Sequence, residues 1–194
     1  MDANELNEAR KNPEFLEFLD TREKEAFEND DISILYEVLD SLLILDLQEE
    51  RINKIYERIL TIAFDKIENR LKENKKLSLT NEDIFYIRSF YEHSIEKWSC
   101  GNFQGAKELL FVIQNIVDDE KLKDSLSIHI LACSQNITLD EFYINKVDTE
   151  IQTSLDDEKY GYFIMNYKFD IQQFLNDNSQ NLIDESKKLQ HLLD

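Results

Sequence analysis

Glycine and proline are almost missing from this chain, with three Gly and one Pro in 194 residues. Both residues punctuate tight turns and hairpins, so their scarcity argues against a many-stranded sheet. Cysteine is scarce too. Cys100 and Cys133 have no metal-ligand spacing, and they read as small buried hydrophobes in a reducing cytosol, not as a disulfide framework. Long hydrophobic runs are absent: the most apolar stretch, 35–45, is broken by Glu37, Asp40 and Ser41 and falls far short of the ~20 residues of a membrane span. The opening Met1-Asp2-Ala3-Asn4-Glu5 lacks the positive and apolar regions of a secretory signal. A cytoplasmic protein that does not enter membranes is the expectation.

Positive charge is the remaining shortage. The chain holds 22 Lys/Arg against 41 Asp/Glu, a formal net charge of −19. Residues 1–50 carry 16 acids and 4 bases, residues 51–100 carry 8 acids and 10 bases, and the last 94 residues carry 17 and 8. The bases at Arg51, Lys54, Arg58, Lys66, Arg70, Lys72, Lys75 and Lys76 sit in a segment that the acidic N-terminal helices can lie against, compensating charge within the molecule. A field this negative repels phosphate backbones, so no nucleic-acid partner is expected; one would have to bind the 51–76 cluster alone.

What is present is helix signal from end to end. Asn12 before Pro13 caps a helix over 13–29. Asp30-Asp31 caps a second over 32–45, apolar around so much of its circumference that it must be central. The three- and four-residue spacing of Ile52, Ile55, Tyr56, Ile59, Ala63, Ile67 and Leu71 predicts a long helix over 48–75. Thr80 with Asp83 resembles a capping box for a helix over 81–99, a helix over 103–117 follows the Gly101-Asn102 turn, and Asp118-Asp119 caps another over 120–134. Thr138 with Glu141 is a full capping box for a helix reaching Ile151. Over 160–175 a strand alternation (Tyr160, Tyr162, Ile164) competes with a helical spacing (Tyr160, Phe163, Tyr167, Ile171, Phe174), and helix is expected on length and context. The fold class expected is all-α: about eight or nine helices in an antiparallel array or bundle. They form a single domain over 1–194, with possible sub-halves 1–79 and 80–194.

The stretch Trp98-Ser99-Cys100-Gly101-Asn102-Phe103-Gln104-Gly105-Ala106-Lys107-Glu108-Leu109-Leu110 resembles the turn between the two helices of a tetratricopeptide repeat. Gly101, Asn102, Phe103, Ala106 and Leu110 stand at the family's small, polar, aromatic, alanine and large apolar places. Gln135-Asn136-Ile137 follows 34 residues later, the period of that family. Asp140 stands where a second repeat needs a small residue, Asp118 replaces the closing proline, and the register does not extend upstream, so the resemblance spans about 87–150. It implies helix pairs with a groove that holds a partner segment. The size and acidity are also similar to those of the small helical chaperones of bacterial protein-export systems.

Catalytic and metal chemistry find little support. Glu92, His93 and Glu96 share a helix, but the paired Glu-x-x-His spacing of a bundle metal site is missing, and no metal or cofactor is expected. His129, between two isoleucines, reads as a core-edge histidine bonded to backbone, and His191 lies near a fraying end. Cys100 stands at a predicted helix end in an acidic chain, where nothing lowers a thiol pKa. The acid pairs are explained as helix caps. The function expected is therefore a non-enzymatic interaction module, an adaptor or chaperone holding a basic or amphipathic segment of a protein partner. The groove residues are expected to be Phe90, His93, Lys97, Trp98, Phe103, Tyr162 and Tyr167, with Trp98 as anchor. The alternatives are a homo-oligomeric scaffold joined through its aromatic C-terminal segment, and an enzyme whose helical active site carries no motif.

Overall fold

Helix formation follows the caps read from the sequence. The Asn12 side chain accepts from the amides of Glu14 and Phe15 at 3.0 and 3.2 Å, with Pro13 in the first turn. The Asp31 carboxylate accepts from those of Ser33 and Ile34 at 3.0 and 3.1 Å. The computed structural model describes residues 3–151 and 155–193, and among these the protein is all-α, with ten α-helices and two isolated β-bridges. The chain divides into two compact units, Met1–Lys66 and Ile67–Asp194.

Unit 1 contains α1 (Ala3–Ala9), α2 (Pro13–Asn29), α3 (Ile32–Leu45) and most of α4 (Glu49–Lys72). The two-residue link between α2 and α3 makes them antiparallel neighbours, and Asp30 closes α2 in the left-handed region at φ 55°. On α4, Arg51 pairs with Asp20 at 2.8 Å and with Glu23, and Arg58, two turns on, pairs with Asp30. These pairs run α4 alongside α2 in the same direction and supply the intramolecular charge compensation suggested by the sequence. Leu35, Leu39 and Leu42 of α3 and Ile55, Ile59 and Ala63 of α4 are buried, the i, i+3/i+4 stripe of a helix facing a core.

Unit 2 begins with the end of α4. Residues 67–79, which the sequence pattern leaves with the N-terminal half, join it because Leu77 is buried and bridges to Val117: the Leu77 amide donates to the Ile116 carbonyl at 2.8 Å, and the Asp118 amide to the Leu77 carbonyl at 2.7 Å. Next come α5 (Asp83–Ser99), α6 (Phe103–Ile116), α7 (Glu120–Ser134) and α8 (Leu139–Lys146). Short links make α5, α6 and α7 successive antiparallel neighbours. A 3-10 turn (Leu155–Tyr160), α9 (Ile171–Asp177), α10 (Ser179–Leu189) and a final 3-10 turn (Gln190–Leu192) complete the unit.

Four sequence expectations need correction. Of the two cysteines expected to be buried, only Cys133 is, and Cys100 is exposed. The segment 161–170 is irregular and not helical, because its groups are drawn to separate partners. The Tyr160 hydroxyl donates to the Asp119 carboxylate at 3.0 Å, the Ile164 amide donates to the Tyr91 hydroxyl at 3.0 Å, and Tyr167 bridges antiparallel to Val147. The helix starting at Leu139 ends at Lys146 and not near Ile151, since Val147 turns extended (φ −83°, ψ 132°) to meet that segment. Finally, Asp83 takes the Ser78 amide at 3.2 Å in place of closing a capping box, and Asn81 adopts φ 53°, so α5 starts at Asp83.

Candidate functional site

The irregular segment forms one wall of an open cleft in unit 2. It is held against α5 and α7 by a buried polar network centred on His129. His129 is fully buried, and its Nδ1 lies 2.6 Å from the Ser125 carbonyl. A carbonyl only accepts, so Nδ1 carries the proton and Nε2 accepts from the Tyr91 hydroxyl at 3.2 Å. The Tyr91 oxygen in turn accepts from the Ile164 amide. The Ile164 carbonyl receives both the Ser125 and the Tyr167 hydroxyls, at 2.5 and 3.0 Å, and these two lie 2.5 Å apart. A satisfied buried network of this kind fixes one arrangement of chain, because any slip orphans a polar group.

The same burial sets the ionisation of the network. Desolvation lowers the His129 pKa to about 4, although the Ser125 carbonyl pulls it the other way, so the ring is neutral at pH 7. Burial raises the Tyr91 and Tyr167 hydroxyls above their ordinary range. The Cys133 thiol is pushed up to about 12 by burial, against the pull of Lys107, and is inert. At the edge, Asp119 is gripped by Lys159 at 2.7 Å and by Tyr160; burial opposes its charge, but these bonds hold its carboxyl below the usual range.

On the solvent side of the segment lies an open cleft of about 350 Å³, lined by Tyr143, Val147, Asp148, Ile151, Tyr162 and Met165 among others. Tyr143, Ile151 and Tyr162 are 49%, 51% and 41% exposed. The Arg88 guanidinium lies 4.2 Å from the Tyr162 ring centroid and is itself held by Glu92 at 2.7 Å. Asp148 supplies a carboxylate to the cleft, turned by the Glu150 amide at 3.0 Å.

Of the seven residues expected in a groove, Phe90, Trp98 and Tyr167 are buried. Trp98 is 1% exposed, its indole N–H donates to the Ile137 carbonyl at 2.8 Å, and its ring packs on Phe142 and His129. It stands in the interior of unit 2, out of reach of a partner. His93, Lys97 and Phe103 are half-buried, with His93 bonded to Glu96 at 2.9 Å. Tyr162 alone of the seven lines the cleft. Tyr143 and Ile151 were not among the candidates, although one signal for Tyr143 was legible: Phe142, Tyr143 and Ile144 are consecutive, and three large apolar residues 100° apart cannot all face one core. Phe142 is the one buried, while Tyr143 and Ile144 are exposed.

Among the described residues, no group of three or more His, Cys, Asp or Glu is placed to hold a metal ion, and no helix is long and apolar enough to cross a membrane. No protein-family model matches the chain, and no curated protein or solved structure matches it either.

Proposed function

We propose that the chain is a non-enzymatic interaction module of the cytosol, an adaptor or chaperone-like protein whose unit 2 receives an amphipathic segment of a protein partner along the Tyr143–Ile151–Tyr162 cleft. The observation that carries this reading is the gathering of three large, exposed apolar side chains around one concavity whose floor is rigidly held from below. Aromatic side chains on a pre-organised surface are the usual anchors of protein recognition. Asp148 in the cleft and a net charge of −19 favour a segment whose polar face is basic, and they speed its encounter.

Support for a tetratricopeptide-like reading of α5–α8 comes from the turns. α5 and α7 each end in a left-handed residue, Gly101 (φ 75°) and Asn136 (φ 54°), and α6 and α8 each open on a side-chain cap, Asn102 and Thr138. Ala106 is fully buried, where its small side chain permits close helix approach.

The test uses two baits, the native chain and a Tyr143→Ser Tyr162→Ser variant whose folding is checked by circular dichroism. Both positions are exposed, so the fold should survive. Supporting the proposal would be a protein captured by the native chain through a high-salt wash and at least tenfold less by the variant. Equal capture by both sinks it. Light scattering at two concentrations separates the scaffold alternative: a mass that doubles with concentration in the native chain alone would make the partner a second copy and overturn the adaptor reading.

A further inference from the structure

Helix α8 has a second working face. Phe142 and Lys146, one turn apart and on the side next to Tyr143 and Val147, line a narrower cavity of about 130 Å³ within unit 2. Its apolar wall is made by Leu131 and Ala132 from α7, Phe142 from α8, and Phe169 with Phe174, whose rings lie tilted at 4.6 Å, while Gln135, Lys146 and Asn178 are its polar lining. A cavity of roughly this size, about 150 Å³ in one engineered protein, accepts benzene.

One cation lines this cavity. Lys107, Lys123, Lys159 and Lys188 each hold a carboxylate within 2.7 Å. Lys146 is half-buried, and its ammonium lies 5.9 Å from the centroid of the Phe169 ring. Among the described residues, no carboxylate pairs with it. In a chain with nearly twice as many acids as bases, a half-buried lysine with no carboxylate partner among the described residues, beside a cavity with an aromatic wall, is complementary to an anion that brings its own apolar group.

We propose that this cavity is a binding site for a single aromatic ring that carries a carboxylate, the ring entering the space lined by Phe142, Phe169 and Phe174 and the carboxylate pairing with Lys146. The ligand chemistry is that of a small aryl-acetic or aryl-propionic acid, and a C-terminal phenylalanine of a peptide presents the same two groups. The site is distinct from the Tyr143–Tyr162 cleft, so the Tyr143→Ser Tyr162→Ser protein keeps it, and either proposal can fail without the other.

The experiment titrates the full chain, followed by amide chemical shifts, with phenylacetate, with phenethylamine as the cationic counterpart, and with benzyl alcohol as the neutral one. Phenylacetate is expected to bind with shifts at Ala132, Phe142 and Phe174, at least tenfold more tightly than phenethylamine. Lys146→Gln is expected to weaken phenylacetate by about tenfold, about 1.4 kcal/mol, while leaving benzyl alcohol unchanged. Ala132→Leu fills the space and should abolish all binding; Lys146→Gln keeps the test decisive if that variant does not fold. A hexapeptide ending in free phenylalanine, compared with its C-terminal amide, separates the sources. Tighter binding of the free-acid peptide than of phenylacetate assigns a chain terminus, and its failure beside a binding phenylacetate assigns a free acid. No phenylacetate binding at millimolar concentration, or equal affinity for phenethylamine, overturns the proposal.

Discussion

Around one buried ring, Tyr36, unit 1 fills its interior mainly with Leu19, Leu35, Leu39, Leu42, Ile55 and Ile59, whereas unit 2 sets Tyr91, Trp98, His129, Phe142 and Tyr167 against one another. Among the described residues, the buried polar and charged side chains, including Ser125, His129, Lys107 and Glu185, all lie in unit 2. A mostly aliphatic core asks chiefly for apolar stripes of matching volume, which regular helices supply. A core that includes hydroxyls, an imidazole and an ion pair must also satisfy each of them, and this is what holds an irregular chain segment in one place. The Lys107–Glu185 pair, at 2.6 Å, does the same for α10: burial disfavours the Glu185 charge, yet the bonds from Lys107 and Lys188 hold its carboxyl below the usual range. Regular packing builds a scaffold, while the polar core holds the irregular wall of the Tyr143–Tyr162 cleft in place.

The contrast is broken most severely by removing the indole. Trp98→Ala deletes the largest fully buried side chain and orphans the Ile137 carbonyl, and is expected to cost about 3–5 kcal/mol. Leu39→Ala in unit 1 creates a smaller cavity without an unpaired polar group, at about 2–4 kcal/mol. Urea unfolding followed by far-ultraviolet circular dichroism checks both. A tryptophan variant within about 1 kcal/mol of native would show that the ring is not part of the core.

Acid sharpens the contrast next, because all three histidines lie in unit 2. His129 ionises at about 4 in the folded protein, against about 6.5 in an unfolded chain. The unfolded state therefore takes up the proton first as pH falls. The stability from the neutral ring is full above about pH 6.5 and is lost progressively down to about pH 4, by about 3 kcal/mol in all. The single tryptophan is packed on His129, so its fluorescence in urea titrations at pH 7.5, 6 and 4.5 reads this loss directly. His129→Gln is expected to flatten the dependence across that window, and an unchanged slope would assign the pH sensitivity elsewhere.

The smallest effects come from helix ends. Unit 1 closes α3 with Asp46 at φ 52°, while unit 2 closes α5 with Gly101 at φ 75°. A Cβ at Gly101 would meet nothing within 4 Å, so Gly101→Ala costs only its backbone strain, about 1 kcal/mol. Asp46→Gly relieves such strain at some cost in chain entropy and is expected to stabilise by about 0.5 kcal/mol. Midpoints of urea denaturation at unchanged slope measure both, and a loss at Asp46→Gly would mean that the aspartate is favoured there.

Much of this was legible residue by residue. The caps at Asn12, Asp31, Asp119 and Thr138, and the stripes of α2, α3 and α4, are signals between residues a few positions apart, and the helices start within a residue or two of them, although α4 stops at Lys72 and α8 at Lys146, short of the ends at 75 and 151 that the pattern suggests. His129 was legible as a backbone-bonded core histidine because it sits between isoleucines on an apolar run. Trp98 misled, since a tryptophan beside a turn reads equally as anchor or as core, and its choice depended on an Ile137 carbonyl 39 residues away. Tyr143 was recoverable from three consecutive large apolar residues; Ile151 was not, because it lies past a helix end that only Val147 pairing with Tyr167 sets.

By itself, then, the sequence determined an acidic all-α chain and the places where most of its helices begin and end, because capping bonds and i, i+4 contacts are local and their residues can be read in order. Tertiary structure alone decided the path of 161–170, the burial of Trp98, and the two cavities on either side of α8. Those features depend on a hydroxyl, an imidazole or a carbonyl finding its partner across about 40 or more positions of chain, and nothing in the local pattern records which partner it will be.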